Sequence, residues 1–164
     1  MVTSALFGAL TLLALSPIAV LLSRSPRASG VVYGSCLIVT LTLTAMAGMS
    51  LFGQSTSSVV LPLGLPWLGA HFRIDALSAF FLIVVNLGGA AASMFALGYG
   101  QHEQAPERVV PFYPAYLAGM NVVVLANDAF SFLVAWEFMS LTSWALVIAH
   151  HRERENLHAG YVYL

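Results

Sequence analysis

An all-α polytopic transmembrane helix bundle, with about five spanning helices, is predicted by three features of the sequence. The chain is almost free of charge, five apolar runs are long enough to cross a bilayer, and the arginines fall in a regular way between those runs. Hydrophobic residues make up 59% of the 164 and charged residues 8%, against roughly 25% charged in a soluble domain. A chain so poor in charge could not cover its surface with polar groups in water; a lipid surrounding removes that need. The formal net charge of −1 and the lack of a basic stripe argue against nucleic acid as a partner.

A spanning helix needs about 20 mostly apolar residues. The first run extends from about Ala5 to Leu22, with Pro17 as the expected kink. The second runs from about Val31 to Phe52, the third from about Asp75 to Leu97, the fourth from about Phe112 to Ala126, and the fifth from about Ala129 to Ala149. A sixth begins near Leu157. Met1-Val2-Thr3-Ser4 offers no positive n-region, and Arg24 and Arg27 follow the first run. The first run is therefore read as a retained helix, not a signal peptide.

The connections add detail. Pro62, Gly64 and Pro66 break any helix between residues 53 and 72, which is expected to hold extended structure at the membrane surface. Asn127-Asp128 makes a tight turn. Asp128 and Asp75 each stand where a carboxylate can cap the helix that follows. The chain is expected to be a single transmembrane region, residues 1–164, without a soluble domain, repeat or low-complexity tract.

With five crossings, alternate loops share a compartment. Arg24, Arg27, Arg108, Arg152 and Arg154 then fall on one side and Arg73 on the other. Positive loops stay cytoplasmic. The expected arrangement is a multi-pass protein of the inner (plasma) membrane, with the N-terminus and the 53–72 loop outside.

One charge lies within an apolar run. Glu137 is eight residues past Ala129, roughly 12 Å along a helix and near the bilayer middle. An acidic residue there costs on the order of 2.5–3.5 kcal/mol. The usual compensation is a partner, water or protonation, and the usual reason is ion or proton movement. Ser140, at i+3, shares its face. Asn121 and Asn86, inside the fourth and third runs, are read first as interhelical hydrogen-bonding groups; the second reading, if helices three to five pack together, is that they help line a hydrated route with Glu137. Gly88 and Ala92, four residues apart, are read as a close-packing stripe.

The remaining chemistry is thin. Cys36 is a single thiol in an apolar run, unable to form an internal disulfide or ligate an iron–sulfur cluster alone. His150 and His151 lie at the inner interface and are read first as solvated interface residues, with proton relay as the second reading; His71 lies at the outer interface, and His102 in a loop. No histidine stands at the depth a haem would require. Trp67, Trp136 and Trp144 suit interface or packing roles. Neither a glycine-rich phosphate loop nor metal-ligand spacing is present, and no cofactor or metal is expected.

The stretches FRIDALSAFFLIVV (Phe72–Val85), FYPAYLAGMNVVVLANDAFSFLVAWEFMSLTSWALV (Phe112–Val147) and AGYVYL (Ala159–Leu164) resemble the antiporter-like family of membrane subunits. That family includes proton-pumping subunits of respiratory complex I, subunits of Mrp-type sodium/proton antiporters, and membrane subunits of energy-converting hydrogenases. With LPLGLPWLGAHFRID ahead of them, the loops most resemble the hydrogenase-4 component B branch. The resemblance covers most of the chain from about Leu61 onward.

The resemblance implies that Glu137 is the fifth-helix glutamate that pairs with a lysine of a later helix during proton translocation. It implies no redox centre of the chain's own, and partnership with other membrane subunits and a peripheral redox module. Family members have about fourteen spanning helices, and this chain holds no lysine, so it is read as an N-terminal fragment. The function expected is translocation of protons or sodium coupled to electron transfer in a hydrogenase or NADH-dehydrogenase-like complex. The alternatives are a structural or assembly subunit without transport, and a membrane-bound redox enzyme holding haem or quinone.

Overall fold

The computed structural model describes residues 1–22, 28–53, 56–64, 67–100 and 106–150, with His150 described by its backbone alone. Five helices carry the fold: α1 (Val2–Leu22), α2 (Ala28–Phe52), α3 (Ala76–Tyr99), α4 (Phe112–Leu125) and α5 (Ala129–Val147). Between α2 and α3 lies an antiparallel hairpin of β1 (Ser57–Leu61) and β2 (Ala70–Ile74), in the register Ser57 opposite Ile74 and Leu61 opposite Ala70. All five helices, α4 together with the turn before it, are long and apolar enough to cross a membrane. The chain is a multi-pass membrane protein.

Helices α1 and α2 each begin about three residues earlier than the apolar runs suggest. Serine and threonine next to an apolar stretch do not end a helix, because the backbone N–H and C=O groups must still be paired where water is scarce. Helix α1 continues through Pro17. Helix α4 is the short one: at 14 residues it measures roughly 21 Å against a hydrocarbon core of about 30 Å. A 3-10 turn at Pro106–Arg108 and the turns after it lengthen the crossing.

The contacts at the two ends fix an up-and-down order. At the hairpin end, Val2 N–H donates to Ser57 Oγ (3.1 Å), and Asn127 N–H donates to His71 C=O (2.8 Å). At the opposite end Ser16 Oγ donates to Pro111 C=O, and the Tyr33 and Tyr113 rings meet edge-on with centroids 5.4 Å apart. The two ends are the hairpin end and the arginine end, the latter after Arg108, which stands there ahead of α4.

The distribution of side chains is the reverse of a soluble protein's. Asn86, Asn121, Thr40 and Ser93 are fully buried, while Leu21, Ile38, Phe52, Met94 and Phe95 point outward. Lipid accepts the large apolar groups, and the polar ones must find partners inside. Asn86 and Asn121 do so reciprocally. Asn86 Nδ2 donates to Asn121 Oδ1 (2.7 Å) and to Leu82 C=O (2.9 Å). Asn121 Nδ2 donates to Asn86 Oδ1 (3.2 Å) and to Leu117 C=O (2.8 Å). Each amide thereby uses both of its N–H donors. Nearer the arginine end, Tyr113 Oη donates to Gly89 C=O (2.9 Å) and shares a hydrogen bond with Ser93 Oγ (2.8 Å).

The close-packing stripe of α3 is one residue round from the expected one. Gly88 has open space beside it, and Ala92 is exposed. Gly89, with Asn86 and Ser93, faces inward instead, and a Cβ on Gly89 would come within 2.9 Å of Leu117 Cδ2. Composition alone could not choose between adjacent small residues; the position of the amide and the hydroxyl chose.

The amide pair is testable by a double-mutant cycle. Asn86→Ala and Asn121→Ala should each lower the melting temperature in detergent, and the double variant should cost less than the sum. The coupling expected for such a bond in a membrane protein is about 0.6 kcal/mol, with about 1.7 as the upper end. Strict additivity would break this account of the pair.

Candidate functional site

The candidate site is built around α5. Its packing face follows helical periodicity: Ser131, Ala135 and Thr142 are buried, and Gly119 of α4 lies so close that an added Cβ would sit 3.1 Å from Met139 Cα. Glu137 is two residues, about 200°, round the helix from Ala135, so it points directly away from α4. The structure leaves it exposed on the outside of the bundle. Among the described residues it has no hydrogen-bond or ion-pair partner. Its neighbours on that face are Leu133, Val134 and Leu141, all exposed, with half-buried Ser140 one turn on.

Of the two readings of Asn86 and Asn121, the structure shows the interhelical hydrogen bond, and the seam shared with Glu137 is corrected. The amides are locked to each other between α3 and α4, with their donors consumed, whereas Glu137 and Ser140 look outward from α5. The reason is angular. Spacing along each helix places all three near mid-height, but only the choice of packing face decides the direction, and the α5 packing face is set by small residues opposite Glu137. His151 and the side chain of His150 lie outside the described residues.

The start of α5 holds what sequence spacing could not show. Asp128 caps α5, as expected, with Oδ1 accepting from Ser131 N–H (2.8 Å). Its other oxygen accepts from the backbone N–H of His71 on β2, also at 2.8 Å. The neighbouring Phe72 and Ala126 form an antiparallel bridge. One carboxylate therefore caps a helix and fastens the hairpin to it across 57 positions of sequence. The His71 ring lies alongside, its Nδ1 buried, unpartnered and 4.0 Å from Asp128 Oδ2. The N–H donors of Ser131 and His71 hold the Asp128 carboxyl at about 2, below the usual carboxylate range. Asp75 is lowered as well, first by the Ser78 N–H in a capping box, and further by Arg73 Nη2 at 2.9 Å from its Oδ2. Local capping was legible in both aspartates; the second use of Asp128 was not.

Because Asp128 titrates lower folded than unfolded (ordinarily near 3.9), its contribution is full above about pH 4 and is lost as pH falls through about 2. Asp128→Asn, with one acceptor oxygen instead of two, should keep one of the two N–H bonds. Asp128→Ala should cost about 1 kcal/mol or more. The melting-temperature gap between wild type and Asp128→Asn should narrow between pH 4 and pH 2. A gap independent of pH over that range would remove the carboxylate from the account.

No protein-family model matches the chain. An uncharacterized protein of Mycobacterium tuberculosis is 28% identical over 144 residues, which is 87% of this chain and 22% of that protein. Hydrogenase-4 component B of Escherichia coli is 34% identical over 93 residues, 56% of this chain and 14% of that protein. Subunit L of the NADH-quinone oxidoreductase of Escherichia coli is 26% identical over 121 residues, 70% of this chain and 20% of that protein. Among solved structures, a chain of the membrane-bound sulfane sulfur reductase, an archaeal respiratory membrane complex, superposes with a TM-score of 0.70 at 18% identity, covering 94% of this chain and 33% of that one. The last likeness is one of fold. The chain is thus similar to a hydrogenase-4 component and to a subunit of an NADH-quinone oxidoreductase, and it spans between about a seventh and about a fifth of the length of the curated relatives named here.

Proposed function

We propose that this chain is part of an ion-translocating membrane subunit of a hydrogenase or NADH-dehydrogenase-like complex in the inner (plasma) membrane, and that Glu137 carries the translocated proton. One observation carries the reading. Glu137 stands at mid-length of a spanning helix, turned away from the other four, with no compensating group among the described residues. Against lipid alone such a carboxylate would cost on the order of 2.5–3.5 kcal/mol. At the height of Glu137 the α5 face is therefore covered by further protein, and the group that answers Glu137 comes from there.

The chemistry follows from charge. Apolar surroundings favour the neutral acid, and a cation brought close favours the carboxylate. A positive group that approaches and withdraws across the open face of α5 would make Glu137 release and take up a proton. Electron transfer in a peripheral redox module would drive that movement, and the relatives named above, a hydrogenase component and a subunit of an NADH-quinone oxidoreductase, support such a setting. The same residue serves proton or sodium transport, so the transported ion is a matter for measurement. The outward direction of Glu137 also suits a second reading, in which it forms a fixed ion pair that holds a neighbouring subunit.

Glu137→Gln in the full-length protein separates the two. Assembly should persist, judged by subunit composition of the purified complex, while proton uptake into inverted vesicles, and sodium uptake in parallel, should fall to background. Normal pumping by an assembled Gln variant would end the transport role. Loss of assembly would favour the fixed ion pair.

A further inference from the structure

At the arginine end, a recess of about 380 Å³ opens between the 3-10 turn before α4 and the last turns of α5. That is within the range of roughly 300–1,000 Å³ typical of small-ligand sites. Glu107, Arg108, Phe112, Leu141, Trp144 and Ile148 line it. Arg108 is half-buried and, among the described residues, has neither an ion-pair nor a hydrogen-bond partner. Glu107 is exposed beside it, likewise without a partner, and the two do not pair with each other. The remaining walls are apolar and aromatic, and they run from the end of α5 toward its middle.

We propose that this recess seats the headgroup of a phosphatidylethanolamine, its phosphate on Arg108 and its ammonium on Glu107. Three observations converge on that occupant. The recess lies at the end of the spanning helices, the depth at which phosphates and interfacial tryptophans are found. It presents one charge of each sign, and this headgroup carries one of each. Its apolar wall of Leu141, Trp144 and Ile148 continues inward, where the glycerol and the start of an acyl chain would lie. Arginine binds phosphate with paired, charge-assisted N–H bonds, and a primary ammonium offers three donors to a carboxylate. Phosphatidylcholine has no N–H donor for Glu107. Phosphatidylglycerol would leave the Glu107 carboxylate without a cation. The site stands independently of any proton on Glu137.

The test uses the full-length protein in its complex, reconstituted into nanodiscs of mixed phosphatidylethanolamine, phosphatidylglycerol and phosphatidylcholine, then stripped of loosely held lipid and weighed by native mass spectrometry. Wild type should retain phosphatidylethanolamine about tenfold above its share of the mixture, the scale of one charge-assisted hydrogen bond. Arg108→Gln should lose retention of all three lipids. Glu107→Gln should retain phospholipid while losing the preference for phosphatidylethanolamine over phosphatidylglycerol. Glu107 is exposed, so that variant is read even if Arg108→Gln fails to assemble. Retention of phosphatidylglycerol over phosphatidylethanolamine by wild type, an unchanged preference in Glu107→Gln, or no retained lipid at all would overturn the proposal.

Discussion

The interior of this bundle must satisfy its own polar groups, because lipid supplies no donors or acceptors to do it. That constraint explains most of what is seen. Asn86 and Asn121 spend both donors on each other and on the carbonyls of Leu82 and Leu117, and Tyr113 and Ser93 close a second set on Gly89. Thr40 returns its hydroxyl to Cys36 C=O of its own helix (2.8 Å). Where small residues let the backbones approach, as at Gly89 and Gly119, those bonds can be short; where they do not, the large apolar groups go outward.

Against that background Glu137 is the exception that bears meaning. The bundle can satisfy two amides and several hydroxyls in its core, yet its one mid-helix carboxyl is turned to the outside. A carboxyl kept for internal stability would face its neighbours, as the Asn pair does. The direction of Glu137 agrees with the proposal that its counterpart comes from protein packed on the outer face of α5.

The helices were legible in the sequence because apolar runs of spanning length have few other uses, and the caps of α3 and α5 because Asp75 and Asp128 stand just ahead of them. The depth of Glu137 was legible for the same reason: rise per residue converts position to height. Direction was not. Gly88 and Gly89 differ by about 100° round α3, and composition alone does not distinguish them, although Gly89 shares its face with Asn86 and Ser93; nor does spacing reveal that Asn86 meets Asn121 35 residues away. The hairpin could be read only as extended chain broken by Pro62, Gly64 and Pro66, since the clasp by Asp128 depends on β2 meeting the α4–α5 turn. The Arg108 recess joins two elements far apart in sequence and left no local mark.

That clasp limits how α5 can behave. One end of the helix is held to β2 through the two oxygens of Asp128, β2 runs within two residues into α3, and mid-length α5 is seated backbone-deep against Gly119. A helix gripped at those two heights cannot readily spin about its axis or slide along it. Glu137 thus keeps a fixed azimuth, set by the small residues opposite it and held by the hairpin clasp, so any change in what it faces must come from the groups around it and not from α5.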